Sequence, residues 1–270
     1  MKNSEDTGKR PDAGLAGGVA LVTGATGGIG EAVVRTLAEA GVHVAALDLD
    51  TPALAELERA ARDEGLAVTA FAADVTSPSE VEAVVAAAEE RLGPIDRLVN
   101  VAGVMLAAPV LALSEEDWER TFAVNASGVF RVSTAVARRM AGRGRGSIVT
   151  VASNAAVVPR AGMAAYAASK AAAVAFTKNL GLELARHGVR CNAVCPGSTD
   201  TAMLRSLWSD DSGPERSLHG SLEDFRVGIP LGRFATPEHI ADAVAFLLSE
   251  RAAHITMHDL QVDGGAALGR

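Results

Sequence analysis

Short runs of apolar residues alternate along this chain with longer stretches in which apolar positions recur every three to four residues. Gly18-Val-Ala-Leu-Val-Thr23 is apolar nearly throughout, as a strand buried on both faces must be, and an amphipathic helix follows to about Ala40. The alternation continues with strands at 42–47, 67–72, 95–100, 147–152, 189–195 and 258–262. Between them the spacing predicts helices over 52–64, 78–92, 114–140, 164–186 and 237–248. Strand and helix in this order form βαβ units, so the expected architecture is α/β, a doubly wound parallel sheet with helices on both faces. Residues 200–228 break the rhythm with Gly, Ser, Pro and charge around Met203, Leu204 and Trp208. An insertion of that length in a compact domain reads as a substrate lid. No repeat or linker divides the rest, so residues 15–270 read as one domain behind a polar tail at 1–14.

Composition narrows the function. Of 270 residues, 49% are apolar and 21% charged, which suits a filled core. A formal net charge of -8 with 4% aromatics argues against a nucleic-acid surface. There is no uninterrupted apolar run of about 18 residues, so no membrane span is expected. The tail has no apolar segment resembling an export signal. Cys191 and Cys195 lie on one face of a single predicted strand, roughly 13 Å apart, too far for a mutual disulfide. The expected compartment is the cytoplasm.

Two stretches carry chemistry. Gly24-Ala-Thr-Gly-Gly28-Ile-Gly30 sits between the first strand and its helix, where backbone N–H groups and a helix N-terminus can meet a pyrophosphate. Asp48 closes the second strand, where a carboxylate can accept both ribose hydroxyls and repel a 2′-phosphate; a helix N-cap or turn aspartate is the lesser alternative. With Gly27 adding no basic side chain, the reading is NAD rather than NADP. In the second stretch, Ser153 ends a predicted strand, and Tyr166 and Lys170 are one helical turn apart on the same face. On its own such a Tyr/Lys pair is usually ordinary surface and packing. Beside a nucleotide it makes a proton carrier for an alcohol, because a nearby ammonium favours phenolate. No HExxH or Cys/His cluster suggests a metal, and no Gly-x-Ser-x-Gly suggests a hydrolase.

Thr23-Gly24-x-x-x-Gly28-Ile-Gly30, Asn100-Val-Ala-Gly103, Asn125, Ser153, Tyr166-x-x-x-Lys170 and Pro196-Gly197 together resemble the short-chain dehydrogenase/reductase family, in order over residues 18–265. The resemblance implies a single Rossmann-like domain with a sheet of about seven strands, a nicotinamide cofactor and a homotetramer. It implies Tyr166 as acid/base, Lys170 as the residue that holds the nicotinamide ribose and lowers the Tyr166 pKa, and Ser153 as the residue that orients the substrate oxygen. Asn125 would anchor a water leading to the lysine. Cofactor contacts fall on Gly24, Gly28, Ile29, Gly30, Asp48, Asp74, Val75, Asn100, Ala102, Gly103, Tyr166, Lys170, Pro196, Gly197 and Thr199. Val101 departs conservatively from the family pattern.

Further stretches, among them Pro159-Arg-Ala-Gly-Met163, Pro196-Gly-Ser-Thr-Asp-Thr201 and Val262-Asp-Gly-Gly265, are similar to family members that oxidise a cyclohexadiene carboxylate with a ring alcohol. Asn154 and Val158 depart from that pattern beside Ser153, leaving a hydroxyl or an amino group open as the second ring substituent. A 3-oxoacyl or sugar reductase and a non-catalytic binding protein on the same fold are the broader alternatives. A flat acid needs a cation, and Arg160, between Ser153 and Tyr166, is the first choice, with a surface or subunit-contact residue as the alternative reading. Arg205, beside Met203 in the lid, is the second.

Overall fold

The apolar runs are strands of one sheet in the computed structural model, which describes residues 14–208 and 210–269. Except for Gly14, the expected tail lies outside the described residues. Seven parallel strands, β1 (Val19–Thr23), β2 (His43–Asp48), β3 (Val68–Ala72), β4 (Ile95–Asn100), β5 (Gly146–Val151), β6 (Val189–Pro196) and a last strand at Asp259–Val262, are ordered 3-2-1-4-5-6-last. All five residues of β1 are buried, which explains why no polar/apolar alternation marks it. One face of the sheet is covered by α1 (Gly28–Glu39), α2 (Thr51–Asp63) and a late helix at Pro237–Leu248. The other is covered by α3 (Pro78–Leu92), α5 (Val129–Arg143) and α6 (Ala164–Leu184).

Helix starts follow local chemistry. Ser77 caps α3 by accepting from Glu80 N–H with Pro78 in the first turn, and Asp50 does the same for α2 through Ala53 N–H ahead of Pro52. The single helix expected over 114–140 is instead three pieces. Helix α4 (Glu115–Phe122), started by a Ser114 cap, runs into a π-helical turn at Ala123–Gly128 and then into α5. A π turn widens the helix by one residue without disturbing its apolar stripe, so the sequence pattern does not register it.

The rhythm-breaking segment holds two short helices, α7 (Ala202–Arg205) and α8 (Gly213–His219), and a minimal hairpin of β7 (Gly220–Ser221) and β8 (Arg226–Val227). The late helix and last strand are then α9 and β9. The hairpin needs its glycines: a Cβ on Gly220 would strike the Arg226 carbonyl oxygen, and one on Gly228 would lie 2.6 Å from Leu218 O. Among the described residues no helix is long and apolar enough to cross a membrane. Cys191 and Cys195 are buried free thiols, and burial pushes them up to about 12 and about 11.

Candidate active site

Strand order reverses between β1 and β4, and the crevice beyond their carboxyl ends is where a parallel α/β sheet receives ligands. Thr23 Oγ1 closes the floor of that crevice by accepting from Val101 N–H (3.1 Å) and Ala102 N–H (3.2 Å). Above it opens a cavity of about 720 Å³.

The glycine-rich turn forms one end of the cavity. Gly24 has φ +66°, and a Cβ there would lie 2.6 Å from Ala102 N. A Cβ on Gly30 would collide with the Gly24 carbonyl oxygen, so the turn packs on helix α1 only without side chains at both places. The first turn of α1 is capped by no side chain, which leaves its N–H dipoles directed at the cavity. Asp48 Oδ2 accepts from Thr26 N–H (2.9 Å) and Thr26 Oγ1–H (2.7 Å), binding the end of β2 to the turn. Thr26 is a residue the sequence reading passed over, since the family motif leaves its position open. Asp74 lines the same end, its carboxylate accepting from Thr76 N–H at 2.7 Å.

The other end holds the reactive side chains. Ser153 follows β5, and Tyr166 and Lys170 project from α6. Tyr166 shares a hydrogen bond with Ser153. Burial pushes the phenol's pKa up, and the Ser153 hydrogen bond pulls against it. The sequence suggested the opposite direction, set by Lys170. Lys170 Nζ instead donates to Val151 O at 2.9 Å and stands 5.8 Å from the Tyr166 ring centre. Burial draws the lysine's own pKa down from 10.5 to about 8.

Asn125, fully buried in the π turn, donates from Nδ2 to Val104 O (2.9 Å) and Ser169 Oγ (3.0 Å) while its Oδ1 accepts from Val104 N–H (2.8 Å). It thereby fixes the loop after β4 against α6. A Cβ on Gly103 would lie 3.3 Å from both Asn125 Oδ1 and Lys170 Nζ, so a side chain there would crowd both.

Gly24, Gly28, Ile29, Gly30, Asp48, Asp74, Val75, Ala102, Gly103, Ser153, Arg160, Tyr166, Lys170, Pro196, Gly197, Thr199 and Met203 all line this one cavity. Asn100, Asn125 and Arg205 do not. Asn100 points into the sheet's interior, donating to Ser133 Oγ at 2.9 Å. Arg205 turns outward and pairs with Asp200 at 2.8 Å. The lid arginine that does reach the cavity is Arg226 of β8, half-buried and hydrogen-bonded to Ser198 Oγ at 3.1 Å.

The model of the family described as short chain dehydrogenase matches residues 18–212. This chain is a short-chain dehydrogenase. It is thus an oxidoreductase of a family that works with a nicotinamide cofactor, and the bare glycine cradle and uncapped helix start fit the phosphates of such a group. The chain is 55% identical to the 2,3-dihydro-2,3-dihydroxybenzoate dehydrogenase of Bacillus subtilis (strain 168), over 95% of this chain and 98% of that one. It is 43% identical to the protein of the same name from Escherichia coli (strain K12), over 92% and 96%. Among solved structures it resembles a gluconate 5-dehydrogenase from Burkholderia cenocepacia J2315 in complex with NADP and tartrate. That likeness has a TM-score of 0.87 and 34% identity over 96% of this chain and 99% of the other.

Proposed function

We propose that the chain oxidises 2,3-dihydro-2,3-dihydroxybenzoate to 2,3-dihydroxybenzoate with NAD, a step toward a catechol siderophore. The near full-length likeness to the Bacillus subtilis enzyme carries this reading, and Arg160 sharing a cavity with Ser153 and Tyr166 supports it. Bound nicotinamide supplies the acceptor for the hydrogen and electron pair that leave the carbinol carbon. Ser153 holds the substrate oxygen beside the phenol. Tyr166, as phenolate, takes the hydroxyl proton, turning the alcohol into a ketone. A proton then moves from the neighbouring ring carbon to that oxygen, and the ring becomes aromatic. Lys170 keeps a positive charge near Tyr166 below about pH 8, and Asn125 positions the loop and helix between which it sits.

The amino-substituted alternative, trans-2,3-dihydro-3-hydroxyanthranilate, gains nothing from Asn154. Asn154 lines the cavity, but its side-chain amide is engaged in donating to Asp263 Oδ2 at 3.1 Å, and Val158 is no part of the cavity wall. Incubating the protein with NAD+ and each acid in turn decides between them. NADH is expected with the dihydroxy acid at much the higher kcat/KM; formation with the amino acid alone, or with neither, overturns the reading.

The choice of NAD rests on Asp48, half-buried at the adenine end with its carboxylate anchored by Thr26. A like charge placed against it costs several kcal/mol, so the substitution Asp48→Ala is expected to lower the NAD-over-NADP ratio of kcat/KM by roughly a hundredfold. Initial rates with both cofactors measure it, and an unchanged ratio would move the discrimination elsewhere. Residues 200–228 act as the lid of the single domain, contributing Thr201, Met203, Leu204, Leu207 and Arg226 to the wall. The exposed Trp118, Phe130 and Leu182 of α4, α5 and α6 suit burial in a homotetramer, and the cytoplasm suits a chain with free thiols.

A further inference from the structure

Two guanidinium groups line the same cavity from parts of the chain that no sequence pattern connects. Arg160 comes from the loop between β5 and α6, and Arg226 from the second strand of the lid hairpin; both are half-buried and both line the wall. Among the described residues neither forms an ion pair. Arg226 gives one hydrogen bond, to Ser198 Oγ, and its Nε is buried with no partner. Two acids lie within electrostatic range, and neither completes the site. Asp263 is occupied by Gly265 N–H (2.9 Å), Ala267 N–H (2.7 Å) and Asn154 Nδ2 (3.1 Å). Asp224 sits exposed on the hairpin, outside the cavity. The Arg160 guanidinium is disfavoured first by burial and then by the charge of Arg226. Like charges held together away from water are costly, and a planar anion that accepts from both relieves the cost.

We propose that Arg226 and Arg160 form a two-armed clamp on the substrate's carboxylate, with Arg226 the arm that makes the site prefer a free acid over a neutral ring. This rests on the reading of the substrate as a ring carboxylate. The lid hairpin thus contributes to specificity directly: Gly220 and Gly228 allow its strands to approach, and Ser198 holds the guanidinium in place. Arg205, two residues after Met203, takes no part because Asp200 holds it.

The test uses the protein loaded with NADH and two probes, salicylate and salicylamide, titrated calorimetrically. Wild type is expected to bind the acid the more tightly. In Arg226→Met the salicylate affinity should fall about thirtyfold or more, while salicylamide affinity stays within about threefold. Arg226→Lys should recover part of the loss, since a point charge replaces a fork, and Arg205→Ala should change neither probe. NADH affinity within about threefold of wild type confirms that the variants are folded, and Arg226→Gln serves the same purpose if the Met variant fails this check. Equal salicylate affinity in wild type and the folded Arg226 variants overturns the clamp. Failure of the underlying function would look different: no NADH from the dihydroxy acid in wild type, whatever the probes do.

Discussion

Replacing Tyr166 with phenylalanine is expected to lower kcat by about a thousandfold, with NADH affinity within about threefold of wild type. The size follows from what the cavity wall offers in its place. Ser153 has an alkanol hydroxyl, far too weakly acidic to hold and return a proton near neutrality. Lys170 Nζ already donates to Val151 O and stands one helical turn from the phenol. Burial has raised the Tyr166 pKa, so phenolate is scarce at neutral pH and the oxidation rate should climb into the alkaline range. The phenylalanine variant has no group to titrate there, and its residual rate should be flat over the same interval. Single-turnover oxidation followed at several pH values measures both effects. Turnover near the wild-type rate would remove Tyr166 from the chemistry, and a residual rate with the wild-type pH profile would assign the titration to another group.

The parts of this molecule that were legible in the sequence are those where local chemistry and tertiary environment agree. A central strand such as Val19–Thr23 stands out because burial on both faces demands a continuous apolar run. The glycine turn was readable because Gly24 and Gly30 sit where no Cβ can fit. Ser153, Tyr166 and Lys170 were readable from their spacing along one strand end and one helix. The π turn around Asn125 escaped because widening a helix by one residue leaves the apolar stripe intact. Arg205 looked like a substrate residue from its neighbours in the chain, yet Asp200, five residues earlier, holds it outward. Arg226 had the opposite problem. Nothing in a two-residue strand marks it, and only the hairpin's close glycine contacts bring it to Arg160's end of the cavity. Glycines at both ends of the segment, Gly220 and Gly228, with Arg226 between them, are the local signal that could have marked the hairpin.

The other large effect concerns Lys170, where function and stability oppose each other. Substitution by methionine should cut kcat by at least about a hundredfold by removing the cation near the phenol, and should change how folding depends on pH. In the unfolded chain this lysine keeps its proton up to about 10.5, in the fold only to about 8. Below pH 8 both states are charged, and the fold bears the full cost of burying an ammonium. Between pH 8 and 10.5 the unfolded chain binds the extra proton, so this group adds stability as pH rises, by about 3 kcal/mol across the window. The two buried thiols act in the reverse sense. Their folded pKa values are raised from 9.0 to about 12 for Cys191 and about 11 for Cys195, so their stabilisation is present below pH 9 and lost above it. Tyr166, also raised, adds to that loss. The wild-type protein therefore has Lys170 offsetting part of its alkaline weakening, and Lys170→Met does not. Denaturant titrations from pH 7.5 to 10.5 should show the variant's stability relative to wild type declining by about 3 kcal/mol over this range. Parallel curves would mean that Lys170 titrates alike folded and unfolded. A declining difference would show that the fold carries a charge at neutral pH that costs it stability, as expected where an active site needs a group the core would otherwise exclude.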